Sequence, residues 1–154
     1  MKLSRLYTNK EEIFPAIKFS DGFNVVFARV KDPLRKDKDS HNLGKTFLAD
    51  VIDFCLLSDL PKDHAFNGSA DIFNDFIFFL EIKTNNNMFV TIRRKVFGKK
   101  AINIYTSAES MDLSELPEDQ WQYINLGHEE GESRLNEILD LDVIKPYNYR
   151  KGIT

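Results

Sequence analysis

Gly44-Lys45-Thr46-Phe47-Leu48-Ala49-Asp50-Val51-Ile52-Asp53-Phe54-Cys55-Leu56-Leu57 is the stretch from which the rest of the chain is read. Phe47, Leu48, Val51, Ile52, Cys55 and Leu56 recur every three or four residues, which sets them on one helical face with Asp50 and Asp53 on the other. The helix is expected to stop near Leu57, before Ser58-Asp59 and Pro61. Upstream, Gly22-Phe23-Asn24-Val25-Val26-Phe27-Ala28-Arg29-Val30 is short, apolar and β-branched, and predicts a buried central strand over Phe23 to Ala28. Between strand and helix, Lys31 to Asn42 offers twelve residues with a proline and almost nothing to bury, which reads as a long exposed loop.

Strand, loop, Gly-Lys-Thr and helix follow one another in the order of a phosphate-binding loop. In such a loop the N–H groups of Asn42, Leu43, Gly44, Lys45, Thr46 and Phe47 would cradle phosphate oxygens at the helix N-terminus. The Lys45 ammonium would reach the β- and γ-phosphates, and the Thr46 hydroxyl would ligate magnesium.

Further on, Asp75 to Lys83, Met88 to Phe97 and Ala101 to Tyr105 are separated by the turns Thr84-Asn85-Asn86-Asn87 and Gly98-Lys99-Lys100, and predict a three-stranded antiparallel meander. Ile77-Phe78-Phe79-Leu80-Glu81 imitates the apolar strand that ends on an acid in nucleotide-hydrolysing enzymes. It continues through Ile82-Lys83 into a hairpin turn, so Glu81 is expected on a solvent-facing position of that hairpin. Arg93-Arg94-Lys95, followed by Lys99 and Lys100, is the densest basic run outside the loop and a candidate nucleic-acid contact, with Arg93 and Lys95 on one face and Arg94 on the other. After Ser107 the chain turns acidic and polar, carries its single tryptophan at Trp121, and predicts a short helix around Glu130 to Leu139.

Composition bounds these readings. The chain has 154 residues, 42% of them hydrophobic, enough for one folded domain, and 13 phenylalanines that point to a phenylalanine-packed core. With 21 Lys and Arg against 24 Asp and Glu the formal net charge is -3, so any contact with nucleic acid must be local. The single cysteine, Cys55, lies on the apolar stripe and reads as a buried, inert thiol. His41, His64 and His128 are scattered, without metal-ligand spacing. The first residues lack an apolar leader and no apolar run is long enough for a bilayer, so the expectation is a cytoplasmic protein with no membrane partner.

Leu6-Tyr7, Pro15 to Phe19, Gly22 to Val26, Ser40-His41-Asn42-Leu43-Gly44-Lys45-Thr46, Val51 to Leu57, Thr91 to Arg94, Leu116-Pro117-Glu118 and Lys145-Pro146-Tyr147-Asn148-Tyr149-Arg150-Lys151-Gly152 together resemble the amino-terminal part of a family of bacterial coiled-coil ATPases that contain a domain of unknown function. The heads of that family belong to the SMC, RecN and SbcC class of ABC-type ATPases. The resemblance implies an α/β fold, the N-terminal lobe of a P-loop NTPase head with an antiparallel β meander, and ATP and magnesium as cofactors. It departs from the wider class at Ala28 and Asp39, where glycines are usual, and in the lengthened loop. No glutamine loop, signature motif or Walker B strand is present, so the chain reads as half a head with no catalytic residue of its own, expected to be inactive alone. Its implied partners are a C-terminal head lobe, a second head in a homodimer, and DNA, in repair or phage defence. The contrasting expectation is a non-enzymatic module whose meander and basic edge bind nucleic acid or protein.

Overall fold

The computed structural model describes residues 1–26, 44–59, 64–99 and 101–140. Six strands form one sheet: β1 (Lys2–Thr8), β2 (Ile17–Lys18), β3 (Ile77–Lys83), β4 (Phe89–Lys95), β5 (Ile102–Ser107) and β6 (Tyr123–Leu126). Their spatial order is β2-β1-β3-β4-β5-β6, and every neighbouring pair is antiparallel. Four α-helices accompany them among the described residues, α1 (Lys45–Cys55), α2 (Ala65–Gly68), α3 (Ala70–Phe73) and α4 (His128–Ile138), so the fold is mixed α/β.

The meander read from the sequence is β3-β4-β5, with Leu80 opposite Ile92 and Ile92 opposite Ile104 at its centre. Strand alternation sends Phe78, Leu80, Ile82, Val90, Ile92, Ile102 and Ile104 to an inner face, where they meet Val51, Phe54 and Cys55 of α1 and Leu135 of α4. A web of ring contacts joins Phe47, Phe54, Phe66, Phe73, Phe76 and Phe78. That web is the phenylalanine core foreseen from composition.

The outer face is not left to solvent. The segment after β5 turns back across it and lays Leu113 and Trp121 on Tyr7 and Phe79, with Leu116 alongside. Tyr7 and Phe79 stack with centroids 4.9 Å apart, and the Tyr7 hydroxyl accepts from the Leu113 N–H at 3.1 Å. Burial pushes the Tyr7 phenol up to about 12, against the smaller opposing pull of that hydrogen bond and of Arg5.

The structure corrects two expectations. Phe23 to Val26, the described part of the expected buried strand, carries no strand and is exposed, with Phe23 at 91%. Asn24 folds this stretch back on itself: its Oδ1 accepts from the Ser20 N–H and hydroxyl, and its Nδ2 donates to the Ser20 and Gly22 carbonyls. The central place in the sheet belongs to β3, whose neighbours are β1 and β4, and among the described residues nothing offers residues 23–26 a ladder. Phe27 and Ala28 lie outside the described residues, as do the loop from Lys31 to Asn42 and the Lys145 to Gly152 block.

Glu81 is the second correction. It is fully buried, not solvent-facing, and accepts from Ser4 Oγ at 2.7 Å, Ser110 Oγ at 2.8 Å and the Met111 N–H at 3.1 Å. Alternation did place it on the outer face, but the covering segment closes over that face and supplies two of the three donors.

Candidate functional site

α1 starts on Gly44, which adopts a left-handed conformation at φ 78°. A side chain there is disfavoured by the backbone itself, so glycine suits the sharp entry into the helix. No side chain caps this N-terminus among the described residues, and its first turn holds no acid. The first N–H groups of a helix have no partner within it, and here they coincide with the positive end of the helix dipole. Gly44, Lys45 and Thr46 are exposed, and Phe47 is half-buried. The described part of the cradle, Gly44 to Phe47, therefore has the chemistry for an anion, while Asn42 and Leu43 lie outside the described residues.

What holds this end in place was not read from the sequence. Phe47 packs against the His64 ring at 6.1 Å and the Phe66 ring at 5.6 Å. His64 Nδ1 accepts from the Phe66 N–H at 3.2 Å and so caps α2. Its Nε2 lies 3.3 Å from Asp50 Oδ2, close enough for an ion pair but without hydrogen-bond alignment. The pairing ties α2 to the polar side of α1, one turn beyond Thr46. The sequence carries no signal for this, since histidine is not one of the usual helix-capping residues.

The other end of α1 is locked. Leu57 takes a left-handed φ of 66°, the Ser58 N–H reaches the Asp53 carbonyl at 2.9 Å and the Leu57 N–H reaches Phe54 at 3.0 Å, a Schellman closure built on leucine instead of glycine. Leu57 accepts this conformation because its side chain is buried against Gly131 of α4, and His128 Nε2 donates to its carbonyl at 2.6 Å. Arg94 donates to the Phe54 and Ser58 carbonyls, with its guanidinium 4.0 Å from the Phe54 ring centroid. A cation at a helix C-terminus is favourable, so Arg94 stabilises α1 from the sheet.

The basic run on β4 is thus divided, as strand alternation requires. Arg94 points to the inner face and is buried, whereas Arg93 and Lys95 belong to the outer face with Lys99 beyond them. Cys55 is buried, and loss of solvent raises its thiol to about 12, with Arg94 a weaker opposing influence. No group of three or more His, Cys, Asp or Glu is assembled among the described residues, and no helix there is long and apolar enough to cross a membrane.

No family model matches this chain, nor does any curated protein or solved structure.

Proposed function

We propose that the chain is the ATP- and magnesium-binding lobe of an SMC- or RecN-like ATPase, completed by a C-terminal lobe and a second head and acting on DNA in repair or phage defence. The observation that carries the reading is the N-terminus of α1, uncapped among the described residues and with no acid in its first turn, opened by a left-handed glycine and followed by exposed Lys45 and Thr46. Gly44 to Phe47 supply the described donors for phosphate, Lys45 adds a point charge, and Thr46 supplies an oxygen for magnesium. Bound magnesium would neutralise charge on the β- and γ-phosphates. Exposed Phe23, Val25 and Val26 support the same reading, since an apolar, β-branched segment left without a ladder is what half of a shared sheet would show.

Titration of a fluorescent ATP analogue, with and without magnesium, tests the proposal. Lys45→Ala should lower magnesium-ATP affinity at least tenfold with an unchanged melting temperature, because Lys45 is exposed, and Thr46→Ala should reduce the gain from magnesium. The chain alone should show no multiple-turnover hydrolysis. Glu81 is buried away from α1 on the opposite face of the sheet, and Asp50, one turn beyond Thr46, faces His64. Parent-like binding by both variants would refute the site.

A further inference from the structure

On the outer face of the sheet, beyond the aromatic cluster, a groove of about 410 Å³ is lined by Arg93, Lys95, Lys99, Glu118 and Asn125. We infer that this groove binds the phosphodiester backbone of a nucleic-acid strand. The inference does not rest on the nucleotide site, which lies on α1 against the opposite face of the sheet.

The groove is rich in donors and poor in acceptors. Lys95 and Lys99 are exposed and form no ion pair among the described residues. Arg93 meets one carboxylate, Glu118, at a loose 3.5 Å, and Glu118 is itself half exposed. Asn103 sits directly across the ladder from Arg93 and is fully buried. Its Oδ1 accepts from the Asn125 N–H at 2.9 Å, which fixes the amide and leaves Nδ2 without an acceptor among the described residues. A buried donor without an acceptor is costly, and this one sits across the ladder from Arg93. The groove itself sets three cations against the single carboxylate of Glu118, a surplus that suits an oxyanion.

Its shape selects a polymer over a small ion. Arg93 and Lys95 are two residues apart on one strand, about 7 Å along its length, so the cations form a row and do not converge on one point. A row of that kind suits successive phosphates of a chain. No aromatic ring lines the groove, so bases have no stacking platform and recognition is through the backbone, independent of sequence and strongly dependent on salt.

Fluorescence anisotropy of a labelled single-stranded 20-mer, titrated with the whole chain without nucleotide at several salt concentrations, tests this. Binding should be detectable at low salt, and Arg93→Gln with Lys95→Gln should weaken it about tenfold and flatten the log–log salt slope by roughly 1.4. Lys95→Gln alone, at an exposed position, should flatten the slope by about 0.7 without touching the fold. Glu118→Gln should tighten binding by freeing Arg93, whereas Glu130→Gln, the same charge change on α4, should not match it. Inorganic phosphate at millimolar concentration should fail to displace the oligonucleotide. Absence of binding at low salt, parent-like slopes in both Lys95→Gln and the double variant, equal effects of the two Glu→Gln changes, or full displacement by free phosphate would each overturn the inference.

Discussion

Replacing Glu81 separates a structural acid from a catalytic one. Its strand, Ile77 to Lys83, has the sequence of an acid-terminated hydrolase strand, yet the carboxylate holds the segment that covers the outer face. In Glu81→Ala three donors lose their buried acceptor, at a cost of about 1 to 3 kcal/mol each before any rehydration. Ser110 and Met111 lie near the surface, Met111 being 43% exposed, so their donors can regain water if the segment lifts. A net loss of about 3 to 5 kcal/mol follows, a large part of the 5 to 15 kcal/mol typical of a domain, and it lowers the melting temperature by roughly 10 °C. Urea unfolding followed by Trp121 emission and far-ultraviolet circular dichroism measures this directly. Trp121 is the only tryptophan and belongs to the same segment, packed on Phe79, so its emission should shift red before the sheet melts. Glu81→Gln, which keeps the volume but sets an amide against one of the donors, should fall between parent and Glu81→Ala. ATP-analogue affinity should be unchanged in folded Glu81→Gln. A loss of stability under about 1 kcal/mol in Glu81→Ala would refute the tethering role.

Gly131→Val should destabilise the chain by about 2 kcal/mol in urea, because a Cβ at Gly131 stands 2.9 Å from Ile102 Cδ1 and 3.4 Å from Leu57 Cδ1, whereas Gly131→Ala should cost less, its helix propensity offsetting the crowding. Alkaline conditions should unfold the protein: Cys55 and Tyr7 each titrate at about 12 when folded, above ordinary values of 9.0 and 10.0, so the stability they contribute is complete below pH 9 and is lost between about pH 9 and 12. Cys55→Ala should delay the onset of that loss in a pH series of melts, leaving Tyr7 to set the remaining window.

The elements legible in the sequence were those whose pattern is local. Phe47 to Leu56 carried a helical stripe, and α1 spans Lys45 to Cys55; the alternation through Ile77 to Tyr105 carried the meander. Phe23 to Val26 misled because apolar, β-branched composition states only that a segment can enter a sheet, while a sheet also needs neighbours, and β1 and β4 flank β3 instead. Glu81 misled for the converse reason. Alternation gave its face, but only the fold shows that a polar segment thirty residues further on returns to cover it. At the candidate site, Gly44, Lys45 and Thr46 were legible as a motif, whereas His64, Arg94 and His128 were not, since each supports α1 across a sequence separation that no periodicity records.

These supports are unequally distributed along α1, and that inequality bears on function. At the C-terminal end, α1 is held by the Schellman closure, the Arg94 guanidinium, the His128 hydrogen bond and the Leu57–Gly131 contact. At the N-terminal end, ring contacts to Phe47 and the loose Asp50–His64 pair are the described restraints, and the positive pole faces outward. An anion arriving at Gly44 to Thr46 therefore meets dipole and N–H groups whose orientation is already fixed from the far end. Little reorientation of the helix is then required on binding, and favourable charge interactions are not offset by the cost of ordering it. Fixing the helix from β4 and α4 ties its C-terminal end to a strand inside the sheet and to the helix that packs against β5. Among the described residues Arg94 thus links the C-terminus of α1 to the strand that carries Arg93 and Lys95 on its other face.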